Sequence, residues 1–129
     1  MGNGTSVGRV RGLGSAHEGT HHWWHQRLTA GSNLILMLWF VASMALLPAH
    51  DYETIRGWMS QTTVAVPLVL LVTSVFYHFR LGLQVVIEDY QHDETRVVLL
   101  VLINFFTIAA GATAIFSILK VAFTAGAAL

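Results

Sequence analysis

Tyr77 to Tyr90 reads YHFRLGLQVVIEDY and closes an apolar run that begins at Thr62. His78 lies inside the run, Gly82 follows four residues later, and the pair Asp89-Tyr90 ends it. An ionisable residue is costly inside a helix of bilayer length, so by default it is a candidate functional site. The plainer alternative is a buried histidine satisfied by a hydrogen bond to a neighbour.

Composition decides that the run meets lipid. Of 129 residues, 54% are hydrophobic and 11% are Asp, Glu, Lys or Arg. A soluble domain carries ~25% charged residues. A chain this short cannot hide so much apolar surface, so the excess must face lipid or partner chains. Seven basic and seven acidic side chains cancel, which gives no basic surface for nucleic acid. With no cysteine, disulfides, thiolate catalysis and iron–sulfur ligation are excluded within the chain.

The expected fold is an all-α membrane protein with three transmembrane helices, part of a multi-subunit helical bundle. Residues 1–27 form an N-terminal segment, Gly- and Ser-rich to Gly19, with Arg9 and Arg11 but no apolar core of a signal peptide. It ends in THHWWHQR, where Trp23 and Trp24 suit a membrane–water interface. His21 and His22 stand four and three residues before His25, a spacing a helix could use for a metal; three interfacial histidines meeting water and headgroups is the favoured reading. Residues 28–48 form the first span, uncharged and about the ~20 residues a crossing needs. Its start, Thr29 to Asn33, is small and polar, as at a helix–helix contact.

A loop over 49–61 follows, with Trp58 expected as an interfacial anchor. The second span covers 62–87, with Pro67 near its start and Arg80 expected to snorkel or pair with an acid. An acidic connection, 88–96, leads to the uncharged third span, 97–120, and a small tail, 121–129. Arg9, Arg11 and Arg27 flank the first span, so the positive-inside rule places the N-terminus and the 88–96 loop in the cytoplasm. The 49–61 loop and the tail are then periplasmic. With no transit-peptide pattern at the start, the expected location is a bacterial inner membrane.

Helix geometry, ~100° and ~1.5 Å per residue, returns Gly82 to the face of His78 one turn away. A flat, wide porphyrin needs a small residue there, which makes His78 a candidate axial ligand of a haem. Asp89 returns to the same face roughly 16 Å nearer the cytoplasm. The other six histidines lie in tails or loops. A second axial ligand would therefore come from another polypeptide, with the haem between subunits. No Rossmann fingerprint, P-loop or nucleophile–base pair is present.

His78-x-x-x-Gly82, six residues, then Asp89-Tyr90 resembles the signature of the small membrane-anchor subunits of succinate dehydrogenase, respiratory complex II. Gly12-Leu13-Gly14-Ser15, Gly19-Thr20 and His22-Trp23-Trp24-x-Gln26-Arg27-x-Thr29-Ala30 are similar to alphaproteobacterial members. The resemblance covers roughly Gly12 to Phe123. It implies that His78 is one axial ligand of haem b and that the cytochrome b membrane subunit supplies the other. It implies that Tyr90 hydrogen-bonds ubiquinone, that Asp89 shapes that site, and that Arg27 with His21 or His22 lies near the haem propionates. The implied partners are the cytochrome b, iron–sulfur and flavoprotein subunits and the lipid bilayer. Two other readings stand beside it. One is a cofactor-free structural anchor. The other is a small proton or ion conductor, against which the clustering of acids at one membrane face weighs.

Overall fold

The computed structural model describes residues 19–125, with side chains to residue 124. The tail carrying Arg9 and Arg11, the Gly12–Ser15 stretch and the last four residues lie outside the described residues. Four helices make up the structure: α1 Gly19–Ala45, α2 Tyr52–Ser60, α3 Thr62–Tyr90 and α4 Glu94–Ala125. Among the described residues three of them, α1, α3 and α4, are long and apolar enough to cross a membrane.

Helix α1 is continuous from the His- and Trp-rich segment into the first apolar run. Its last turn tightens, with Leu47 N–H donating to the Met44 carbonyl at 3.3 Å. Pro48, which cannot continue a helix, follows. Helix α2 occupies the segment expected as a loop. Asp51 caps it: one carboxylate oxygen accepts from the Thr54 N–H at 3.0 Å and the other from the Thr54 hydroxyl at 2.8 Å. Those hydrogen bonds hold the Asp51 carboxyl below the usual carboxylate range. Gln61, in extended conformation, ends α2 and starts α3; its carbonyl accepts from the N–H groups of Val64 and Ala65. Pro67 sits one turn inside α3, not at its first position. It therefore removes the donor that the Thr63 carbonyl would otherwise meet.

Helix α3 is the central element, packed against α1 on one side and α4 on the other. Its first half carries the core: Val64, Ala65 and Leu68 bury themselves against Ile118 of α4 and Trp58 of α2. Trp58 is thus a core residue, 9% exposed, and not the interfacial anchor its sequence position suggested. The amphipathic α2 turns the ring inward to stack on Trp39, with centroids 6.3 Å apart and planes at 21°. Further along, Gly111 of α4 lets that helix approach Phe76; a Cβ there would stand 3.5 Å from the phenyl ring.

Most of the outer surface is apolar. No residue of α1 is buried. Leu34, Ile35, Phe105, Ile108 and Phe116 are each at least 60% exposed. Contiguous apolar faces of this extent belong to lipid or to partner helices. Gly31 and Gly82 have nothing within 4 Å of the place a Cβ would occupy, so the smallest parts of α1 and α3 stand open. Expressed alone, the chain should be degraded or aggregate, as read by its lifetime in membranes after synthesis is stopped. A long-lived, monodisperse monomer would show that lipid alone covers these faces.

Candidate functional site

The site grows from a seam of polar side chains between α1 and α3. His25, Thr29 and Ser32 share one face of α1, spaced by four and three residues. On α3 they meet Tyr77, His78 and Ser74. His25 Nδ1 lies 2.8 Å from the Tyr77 hydroxyl, Thr29 Oγ1 3.0 Å from His78 Nδ1, and Ser32 Oγ 2.6 Å from Ser74 Oγ. The order of the pairs runs the two helices antiparallel. The N-terminal end of α1 and the Tyr90 end of α3 therefore share one side of the membrane.

His78 stands ~24 Å along the axis from Thr62 and ~18 Å from Tyr90, near mid-membrane. It is partly buried. Its Nδ1 meets Thr29, while its Nε2 makes no hydrogen bond among the described residues. One turn on, the position of Gly82 opens onto free space. An imidazole nitrogen with no partner among the described residues and a gap beside it is suited to an iron held by a flat macrocycle. On α1, with Thr29 level with His78, Arg27 is one short step and His22 ~10 Å nearer the Tyr90 side. The Arg27 guanidinium lies 4.4 Å from the centre of the Trp23 ring. His22 Nε2 is buried without a hydrogen-bond partner among the described residues. His21 stands edge-on to His25, with centroids 6.1 Å apart. Tyr90 is 78% exposed at the end of α3, beside the exposed Asp89. Glu88 accepts from Gln84 at 2.9 Å and lies 4.0 Å from Arg96 across the α3–α4 turn.

A second polar contact lies on the opposite side of α3. Arg80 donates from Nε to Asn104 Oδ1 of α4, and Asn104 Nδ2 donates to the Leu100 carbonyl at 2.7 Å. Phe76, Tyr77, Arg80, Asn104, Thr107 and Ile108 line a cavity of about 410 Å³ there.

A family model described as succinate dehydrogenase/fumarate reductase transmembrane subunit matches residues 1–124. The chain belongs to that family. Among curated proteins, the succinate dehydrogenase hydrophobic membrane anchor subunit of Rickettsia bellii is 33% identical over 101 residues, covering 78% of this chain and 81% of that one. The same-named subunit of Paracoccus denitrificans is 28% identical over 111 residues, covering 86% of each chain. The succinate dehydrogenase membrane anchor subunit of Reclinomonas americana is 31% identical, covering 70% of this chain and 78% of its own. No solved structure gives a significant match.

Within this member of the family, the structure sets Gly82 one turn from His78 on the same face of α3 and leaves Asp89 and Tyr90 at the end of that helix. No hydrogen bond or ion pair joins His21, His22, Arg27, Asp89 or Tyr90 to His78 among the described residues. Two contacts escape a reading of the sequence. Thr29 reads only as a small residue of a packing face, although its place one helical turn from His25 marks the same stripe. Arg80, expected to snorkel or to pair with an acid, instead meets a neutral amide. Asn104, the only Asn, Gln or charged residue between Val97 and Leu119, was the available signal.

Asn104→Leu should destabilise the assembled protein by about 1.5–3 kcal/mol, since it deletes the hydrogen-bond partner of a charged group. Adding Arg80→Leu should recover much of that loss, because the stranded charge goes too. Thermal unfolding of the four forms in detergent gives the coupling. Additive losses would show that the Arg80–Asn104 contact contributes no pairwise stability.

Proposed function

We propose that this subunit anchors a succinate dehydrogenase in the membrane and, with a cytochrome b subunit, holds a b-type haem and a ubiquinone site. The observation that carries the reading is His78: mid-membrane, with Nε2 unmet among the described residues and with the open Gly82 position one turn away. The haem would supply a one-electron carrier between the subunits. His78 Nε2 would hold the iron from this side, and the partner subunit would supply the second ligand. Gly82 would leave room for the ring edge. Arg27 and His22 lie on the Tyr90 side of His78, where two propionates would find a cation and an imidazole with no hydrogen bond to Nε2 among the described residues; His21 is the exposed alternative.

Tyr90 would donate its phenol O–H to a quinone carbonyl, a group that gains charge on reduction. Its exposure leaves the hydroxyl free for a partner, and Asp89 beside it would order the site. Electrons from succinate would arrive through flavoprotein and iron–sulfur subunits docked on the same, cytoplasmic side, with the N-terminus of this chain on that side. Succinate chemistry itself would stay in those subunits.

The cofactor-free anchor draws support from the Thr29–His78 bond, since it satisfies one ring nitrogen. That bond leaves Nε2 unmet, and an anchor alone has no use for the gap at Gly82.

The haem spectrum of the purified complex separates the two readings. His78→Leu should abolish or perturb the b-type spectrum while the protein still inserts. An unchanged low-spin spectrum would move the ligand elsewhere. Tyr90→Phe keeps the ring and removes the donor. It should lower succinate–quinone activity by ten-fold or more while sparing electron delivery to an artificial acceptor upstream. Wild-type quinone reduction by the Phe variant would reduce Tyr90 to an interfacial anchor.

A further inference from the structure

We infer that Thr29 is the positioning residue for His78: its hydroxyl accepts from Nδ1–H, so the tautomer with its proton on Nδ1 is favoured and Nε2 is left bare. The inference rests on the haem-binding reading for its purpose, but the proton assignment stands on contacts within this chain.

A threonine hydroxyl has one proton to give and two lone pairs to offer. Thr29 Oγ1 is 2.8 Å from the His25 carbonyl and 3.1 Å from the Gln26 carbonyl, both acceptors of its own helix. A carbonyl cannot donate, so the hydroxyl proton is committed to that pair. What remains facing His78 Nδ1, 3.0 Å away, is a lone pair. If Nδ1 were bare, two acceptors would confront each other in a half-buried, lipid-flanked contact. The alternative is to swing the hydroxyl proton over to Nδ1. That gives up the bond to the helix carbonyl and makes one hydrogen bond where the other arrangement makes two. It also puts an N–H at Nε2, which has no acceptor among the described residues and would face lipid, where nothing can accept it.

Thr29 is itself held in place. Its carbonyl lies 3.0 Å from Ser32 Oγ and 3.5 Å from Ser74 Oγ, and the two serine oxygens are 2.6 Å apart; with one proton each, one serine donates to the other and that one to the carbonyl. One serine is on α1 and the other on α3, so the two helices cannot slide past each other without breaking the seam. The oxygen that orients His78 is thereby fixed to the helix that carries His78. Metal-bound histidines are regularly oriented by a partner on the second ring nitrogen, and loss of that partner typically costs 10–100-fold in metal affinity.

The test uses the assembled complex in three forms: wild type, Thr29→Val and Thr29→Ser. Valine matches threonine in shape and lacks the oxygen; serine restores it. Haem affinity should fall by about 10–100-fold in Thr29→Val and return toward wild type in Thr29→Ser. The ¹⁵N signals of His78, recorded on histidine-labelled complex depleted of haem, should show Nδ1 protonated in wild type and in Thr29→Ser. In Thr29→Val that preference should be lost. A Thr29→Val complex with wild-type haem affinity and an unchanged Nδ1–H signal overturns the assignment, as does a wild-type ring protonated on Nε2. A wild-type complex that binds no haem overturns the proposed function, and the nitrogen signals still decide the role of Thr29.

Discussion

Lipid offers no hydrogen bonds, and that constraint arranges this chain. Every polar group carried into the bilayer must find its partner in protein. Four polar groups inside α3 (Ser74, Tyr77, His78 and Arg80) each meet a side chain of a neighbouring helix, three on α1 and one on α4, while Thr73 and Gln84 bond within α3 itself. Helix α3 is central because it holds this traffic on two sides. The apolar effect that drives soluble helices together is missing between helices in lipid, so contact must come from close packing and hydrogen bonds. Ser32–Ser74 and Gly111 against Phe76 are contacts of that kind.

The same constraint explains what the chain leaves undone. Its largest buried cluster lies at the Trp58 end, where α2 closes over the first turns of α3 and the last turns of α4. Toward the Tyr90 end there is no comparable cluster. Helix α1 meets α3 there along a narrow polar stripe, and only its far end, with Trp39, Phe40 and Met44, packs on the core. Gly31 and Gly82 open onto free space in that less tightly packed half. A bundle packed more tightly at one end than at the other is suited to receiving something at the looser end.

Three spans and the weight of the His78 helix were legible because length, hydropathy and a single intruding histidine are local properties of the sequence. What stayed hidden depended on pairing across helices. Residues 49–61 read as loop because the segment is polar and short. Yet Asp51 followed three residues later by Thr54 is a capping pattern, and the placement of Ile55, Trp58 and Met59 gives one apolar face. Trp58 could be taken for an anchor because the same ring serves at an interface and in a core. Only the position of Trp39 and Phe40 settles which. Arg80 invited an acid because charge is visible in a sequence; a neutral amide 24 residues on, across a turn, is not. For the small start of the first span, the expectation of packing against protein needs dividing. Thr29 and Ser32 face α3 of the same chain, whereas Gly31 remains open.

The two nitrogens of His78 show how one residue can serve both halves of this structure. Nδ1 faces inward, to a threonine whose own carbonyl is tied to both helices. Nε2 carries no bond within the described chain. A histidine kept only for helix packing would serve as well with either nitrogen inward, and serine or asparagine would do the work at lower cost in lipid. Imidazole is the side chain that can be fixed at one atom while offering a lone pair at another, on the far side of a rigid ring. In the proposed reading the inner bond sets the height and tilt of the ring, and the outer nitrogen spends that rigidity on a ligand shared with another subunit. Orientation is then fixed before the partner arrives. The partner's ligand has only to match a geometry that α1 and α3 already define.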